Sequence, residues 1–254
     1  MVRKFIIESI QHWMKEYHID GFRFDLMGIH DIETMRAVKA AAQAIKPDVL
    51  IYGEGWTAGD SPLPFAQRAI KAHTQQLDGI AAFSDDMRDG LKGHVFTPDA
   101  PGFVSGQGDL KASVQFGIVA SCWHPQIDYS AVNYSDAAWA AAPGQTVTYV
   151  SCHDNHTLWD KIQLSRPAAS LEEQMRMHRL ALTSVLTSQG ISFLHAGTEI
   201  LRSKQGVENS FESPDAINSI NWENKALYHD IFEFVQGLIR LRKNHPAFRI
   251  NDAA

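Results

Sequence analysis

Apolar and polar positions along the chain alternate between two periods, one helical and one extended. Residues 3–18 carry Ile6, Ile10, Trp13, Met14 and Tyr17 at helical spacing, and Asp20-Gly21 ends that helix with a turn. Phe22 and Phe24 then alternate with Arg23 and Asp25, the period of a strand with one aromatic face and one charged face. Asp31 is the expected cap of a helix over about 32–46 that Pro47 stops, and Val49–Tyr52 is a second short strand. Strand, helix and strand in that order make a βαβ unit, hence a parallel pair. After a weakly helical stretch at 66–76, Ile80–Ser84, Thr146–Ser151 and Ile191–Leu194 are the third, fourth and fifth strands. Leu171–Ser188 is a strong helix with Leu171, Met175, Leu182, Val185 and Leu186 expected along its core face. Leu227–Arg242 is the last helix before Pro246.

The stretch from Asp85 to about residue 145 breaks this alternation. It is irregular and rich in Gly and Pro, with one helix predicted from Asp109 to about Ser121. So long an excursion in a compact domain usually belongs to a binding loop, which places it on the substrate face. Asp85, Asp86, Arg88 and Asp89 read as a solvated charge run, with Arg88 near enough to a strand end to contact substrate. A polar loop from Ala196 to about Asn221 holds Arg202, Asp215 and Asn218.

Charges at strand ends are costly unless they face a polar cleft. Asp25 ends the first strand, Glu54 the second and Asp154 the fourth. In a barrel of parallel strands such ends converge on one face, where active sites sit. Two carboxylates flanking one bond are what glycoside cleavage requires, one attacking the anomeric carbon and the other handling the proton. Arg23, two residues away on the same strand face, favours an ionised Asp25. Burial beside Trp56 favours a protonated Glu54, and Gly53 and Gly55 are expected to keep neighbouring side chains away from it.

Composition narrows the remaining classes. The net charge of -6 argues against a nucleic-acid partner, which needs a clustered basic face. No apolar run approaches the roughly 20 residues of a membrane span, so no membrane partner is expected. Cys122 and Cys152 lack CxxC spacing and read as two buried thiols. The 254 residues suit one α/β barrel of about 250, yet only about five strands can be counted, not eight.

Three stretches carry a resemblance. Gly21-Phe22-Arg23-Phe24-Asp25, Gly53-Glu54-Gly55-Trp56 and Ser151-Cys152-His153-Asp154-Asn155-His156-Thr157-Leu158-Trp159-Asp160-Lys161 resemble the fourth-, fifth- and seventh-strand signatures of the α-amylase superfamily of glycoside hydrolases. Gly-Glu-Gly-Trp, the Asn155–Lys161 tail and Ser213-Pro214-Asp215-Ala216-Ile217-Asn218 look most like type I pullulanases, which cleave α-1,6 branch links in pullulan, starch and glycogen. The resemblance implies Asp25 as nucleophile, Glu54 as acid/base and Asp154 as transition-state stabiliser. It implies that Arg23 and His153 assist, that Trp56 is a sugar platform, and that Arg88, Asn155 and Asp215 are candidates for sugar contact. An α-glucan polysaccharide or oligosaccharide is the expected substrate, with no catalytic cofactor and a structural calcium left open.

The superfamily's third-strand signature is missing. The chain therefore reads as about strands four to eight of a (β/α)8 TIM barrel, incomplete here, over residues 1–246, followed at 247–254 by the start of a further segment. On this reading Met1 is an internal methionine, and the N-terminal part of the same enzyme is the expected partner. An isolated sheet of this kind is expected to leave the aromatic face of Phe22 and Phe24 partly uncovered. Three alternatives stay open: an isoamylase or other amylase-type hydrolase, a zinc hydrolase using His153, Asp154 and His156, and a non-catalytic glucan-binding fragment.

Overall fold

In the computed structural model, which describes residues 1–253, the apolar runs pair as one parallel sheet in chain order. Its strands are β1 (Gly21–Phe24), β2 (Leu50–Gly53), β3 (Ile80–Phe83), β4 (Thr146–Thr148) and β5 (Ile191–Ser192). The register sets Phe24 opposite Gly53, Ile51 opposite Ile80, Ala82 opposite Thr146 and Val147 opposite Ile191. The helices are α1 (Val2–Tyr17), α2 (Ile32–Gln43), α3 (Asp85–Lys92), α4 (Lys111–Ile118), α5 (Leu158–Ser165), α6 (Leu171–Thr187), α7 (Asp215–Asn218), α8 (Asn224–Leu227) and α9 (His229–Asn244). Parallel strands in sequential order with helices between them form an incomplete (β/α) barrel, whose edges are β1 and β5.

The strand period divides the side chains between two faces. Phe22, Phe24, Ile51, Ile80 and Ala82 pack outward against Ile10 and Met14 of α1 and Met35, Val38 and Ala42 of α2. Tyr52, Ala81, Phe83, Val147, Tyr149, Ile191 and Phe193 pack together on the inner face. Phe22 and Phe24 pack against these helices yet stay only partly buried, as expected for an aromatic face on an edge strand. A second outer core joins Val150 to α3, α5, α6 and α9 through Leu91, Ile162, Leu182, Val185 and Val235.

Two helix faces differ from the periodicity reading. On α1 the covered ridge runs through Ile6, Ile7, Ile10 and Met14, while Trp13 and Tyr17 are exposed and rest on each other with ring centroids 4.6 Å apart. One residue of helix turns a side chain by about 100°, which carries Trp13 off that ridge. On α6, Leu171 is exposed and Met175 only partly buried. The helix begins at a Ser170–Glu173 capping box and meets the core a turn later, burying Gln174, His178, Ala181, Leu182, Val185 and Leu186.

The excursion after β3 corrects the sequence reading most. Asp85, Asp86, Arg88 and Asp89 are not a solvated run but the start of α3, capped by Ser84, whose hydroxyl accepts from the Met87 N–H at 3.3 Å. Asp86 is fully buried and accepts from Lys71 Nζ (2.9 Å), Ser135 Oγ (2.8 Å) and Trp139 Nε1 (3.4 Å). Asp89 accepts from Arg88 Nε (2.5 Å) and the Tyr134 hydroxyl (2.6 Å). Most of the excursion is thus pinned to α3 or packed in the outer core through Phe116, Cys122 and Trp139, rather than spread over a binding face.

A buried carboxylate with three donors is costly to truncate, because its cation is left behind in a dry site. Asp86→Ala should lower the unfolding free energy by about 3–5 kcal/mol, measured by urea denaturation. A loss below about 1 kcal/mol would show that the excursion is held by other contacts.

Candidate active site

Pairing Phe24 with Gly53 brings the next residues, Asp25 and Glu54, to adjacent strand ends. Arg23 lies opposite Tyr52 on the inner face and reaches both acids: Nη1 donates to Asp25 at 2.5 Å and Nη2 to Glu54 at 2.7 Å. Beyond β1 the chain turns through Leu26, whose left-handed backbone (φ 43°) accompanies a 2.8 Å hydrogen bond from its N–H to the other Glu54 oxygen. Gly53 and Gly55 serve close backbone approach instead of clearing space around Glu54. A Cβ on Gly53 would lie 2.6 Å from the Phe24 carbonyl oxygen, and one on Gly55 2.7 Å from the Lys71 backbone nitrogen.

The two acids sit in unlike surroundings. The Glu54 side chain is 7% exposed and that of Asp25 67% exposed. Burial pushes the Glu54 carboxyl above its ordinary value of 4.5. The Leu26 N–H and Arg23 oppose that shift, and the charges of Asp25 and Asp154 reinforce it. Glu54 therefore holds its proton more firmly than an exposed glutamate, beside a carboxyl open to solvent.

Asp154 completes the group from the loop after β4, its carboxylate 3.4 Å from Nε2 of His153, with both side chains more than half exposed. Arg23, Glu54, Trp56, Arg88, His153, Asp154 and Asn155 all line one cavity of about 710 Å³. Asp25 is not itself among the lining residues and is linked to the cavity through its hydrogen bond from Arg23. Arg88 is mostly buried and donates to the Tyr149 hydroxyl at 3.0 Å, so it supports the cavity floor as well as lining it. Asn155, in the left-handed region at φ 58°, donates to Glu208 at 3.3 Å. Asp215, at the start of α7, is not brought to the cavity; Glu208 and Asn209 reach it from that loop instead.

The sequence reading missed several wall residues. Tyr52, Phe83, Tyr149 and Phe193 form an aromatic floor, with the Phe83 centroid 4.8 Å from Tyr149 and 5.5 Å from both Tyr52 and Phe193. The available signal was the strand period, since Tyr52 lies two residues before Glu54 and Phe83 two before Asp85. Phe96 and Glu208 come from irregular loops and had no such signal. Cys122 is buried as expected, but Cys152 is only half-buried and lines the cavity. The zinc set of His153, Asp154 and His156 does not assemble, because the buried His156 ring places Nε2 3.1 Å from the Gly206 carbonyl oxygen.

No family model matches the chain. The whole of it is 40% identical to part of a protein named pullulanase from Bacillus subtilis (strain 168), covering 34% of that protein. This chain is homologous over its full length to part of a pullulanase. A crystal structure of pullulanase from Paenibacillus barengoltzii, complexed with maltohexaose and alpha-cyclodextrin, matches 99% of the chain at 50% identity and TM-score 0.91, over 38% of its own length. A maltotriose complex of pullulanase from Anoxybacillus sp. LM18-11 matches 100% at 42% identity and TM-score 0.91, over 34% of its length. The chain spans about a third of the length of the pullulanases it matches.

The Glu54 shift has a signed consequence. A carboxyl whose proton is held more firmly in the folded state stabilises most at low pH, and that contribution fades as pH rises through the raised folded value. Glu54→Gln cannot ionise, so it should unfold at a higher temperature than the parent at about pH 7. The advantage should shrink as pH falls toward 4.5. Thermal unfolding followed by circular dichroism across that range checks it, and an advantage growing toward acid would contradict the burial argument.

Proposed function

We propose that this chain is part of the catalytic barrel of a retaining glycoside hydrolase that cleaves α-1,6 branch linkages in pullulan, starch or glycogen. The observation that carries the proposal is one guanidinium shared by two carboxylates at neighbouring strand ends, one buried and one open. Asp25, the open one, is the nucleophile that attacks the anomeric carbon. Glu54 protonates the leaving oxygen and then takes a proton from water, a role suited to a carboxyl whose proton affinity is raised by burial. Asp154 and His153 hold sugar hydroxyls opposite them, and Trp56 stacks on a sugar ring. Arg88 and Asn155 bound the same site, and Asp215 acts only on an outer sugar, if the loop carrying it moves inward.

The same reading divides the chain into a partial barrel over 1–246 and the start of a following segment at 247–254. Its strands correspond to about the fourth to eighth of the full barrel. The remaining N-terminal part of the enzyme supplies the others, and residues 1–254 alone turn over little substrate. That the matched pullulanases are about three times the chain's length supports reading it as part of a larger enzyme.

A chimera tests the proposal: residues 1–254 replace the homologous segment of the Bacillus subtilis pullulanase. The chimera should hydrolyse pullulan with retention, the α-anomer appearing first by proton NMR. Asp25→Ala and Glu54→Gln should each reduce kcat by about a thousandfold or more, roughly 4 kcal/mol in the barrier. A chimera that folds but keeps its rate with Asp25→Ala would remove the nucleophile assignment. Trp56→Ala should act chiefly by raising KM, since a stacking platform binds ground state and transition state alike. An equal fall in kcat and kcat/KM would place Trp56 in the chemical step instead.

A further inference from the structure

We propose that Cys152, His153 and Asp154 bind one borderline-to-soft divalent cation, zinc or copper(II), within the cavity, and that the bound cation excludes glucan. The second half of the proposal rests on the glycosidase reading above; the first does not. One sulfur, one imidazole nitrogen and one carboxylate oxygen from these residues lie within 4.8 Å of one another. Tetrahedral zinc with bonds of about 2.0–2.3 Å sets its ligand atoms roughly 3.3–3.7 Å apart. The His153 Nε2 to Asp154 Oδ1 distance of 3.4 Å already falls on that edge. The sulfur lies within 4.8 Å of both, and these two partners are 63% and 56% exposed, so solvent rather than packed side chains surrounds much of each.

The backbone beneath these ligands is held in place. Lys204, 1% exposed, donates to the His153 carbonyl at 3.1 Å and to the Glu208 carbonyl at 2.9 Å. Asp160 in turn accepts the Lys204 N–H at 2.7 Å. A ligand set on a fixed loop loses less conformational entropy on binding a cation than one on a free loop. Sulfur with imidazole selects zinc or copper(II) over magnesium and calcium, which take oxygen. Three protein ligands leave a fourth position for water.

The cation and a sugar compete for the same groups. His153, Asp154 and Cys152 line the cavity with Glu54 and Trp56, and a cation on Asp154 takes that carboxylate away from sugar hydroxyls.

Zinc sulfate titrated into residues 1–254 against a chromophoric chelator reads the site directly. One zinc per chain is expected, with affinity reduced about tenfold or more in both Cys152→Ser and Asp154→Asn. Circular dichroism establishes that each variant is folded, and excess calcium or magnesium should not displace the zinc. Absence of stoichiometric uptake, or uptake unchanged in both variants, would overturn the site and assign any zinc to other surface histidines. Maltotriose affinity of the chimera described above, measured by calorimetry, should weaken about tenfold or more with zinc bound. Unweakened maltotriose binding to zinc-loaded protein would overturn the exclusion. Zinc uptake by a folded chimera with no maltotriose affinity would support the cation site while overturning both exclusion and the glycosidase reading.

Discussion

A guanidinium between two carboxylates is the contact on which the catalytic end of this sheet depends. Without Arg23, Asp25 and Glu54 would face each other as like charges, one of them nearly out of water. Arg23 can serve both only because β1 and β2 run parallel in a register that sets Phe24 against Gly53. A slip of one residue would turn Arg23 toward the helices and a phenylalanine toward the cavity. Burial still outweighs Arg23 and the Leu26 N–H at Glu54, and the resulting asymmetry gives two carboxyls two chemical characters.

Buried lysines fix the loops around that pair. Lys92 donates to the His156 carbonyl at 3.0 Å, Lys161 to the carbonyls of His94 (2.9 Å) and Pro98 (3.2 Å), and Lys204 to that of His153. Burial pushes Lys92 and Lys161 down to about 8, chiefly by desolvating the ammonium. An ammonium aimed at carbonyl oxygens organises irregular backbone that no ladder can, since each carbonyl would otherwise be left short of a donor. The Lys71–Asp86 and Arg88–Asp89 pairs do the same for the excursion after β3. Arg88 then carries that rigidity to Tyr149 on the cavity floor.

The inner face is unevenly covered. Phe83 and Tyr149 are buried, whereas Tyr52 and Phe193 at the same cluster are only partly covered. Each Å² of apolar surface left wet forgoes about 25 cal/mol, so the uncovered parts of Tyr52 and Phe193 are apolar surface open to whatever enters the cavity. The edges β1 and β5 carry unpaired backbone groups on one side each, whereas parallel strands are ordinarily covered on both faces and paired on both sides. The pullulanases that this chain matches are about three times its length.

The sequence by itself determined the strands, their parallel order and the three acids, because hydrophobic period and strand-end charge are local signals. Asp31 as the α2 cap was legible for the same reason, and its carboxylate accepts the Thr34 N–H at 2.7 Å. Only tertiary structure decided which charges are buried. Asp86 and Asp89 look like solvent-facing acids until Lys71, Ser135, Trp139 and Tyr134 arrive from as many as 53 residues away. It also decided that Trp13 and Leu171 face water although both carry helical spacing, since a stripe's centre is set by the neighbour it meets. The placement of Cys152 beside the acids, and of Asp215 away from them, belongs to loop paths that no period records. Those paths are fixed by hydrogen bonds from buried lysines to distant carbonyls, and a carbonyl leaves no mark on the sequence.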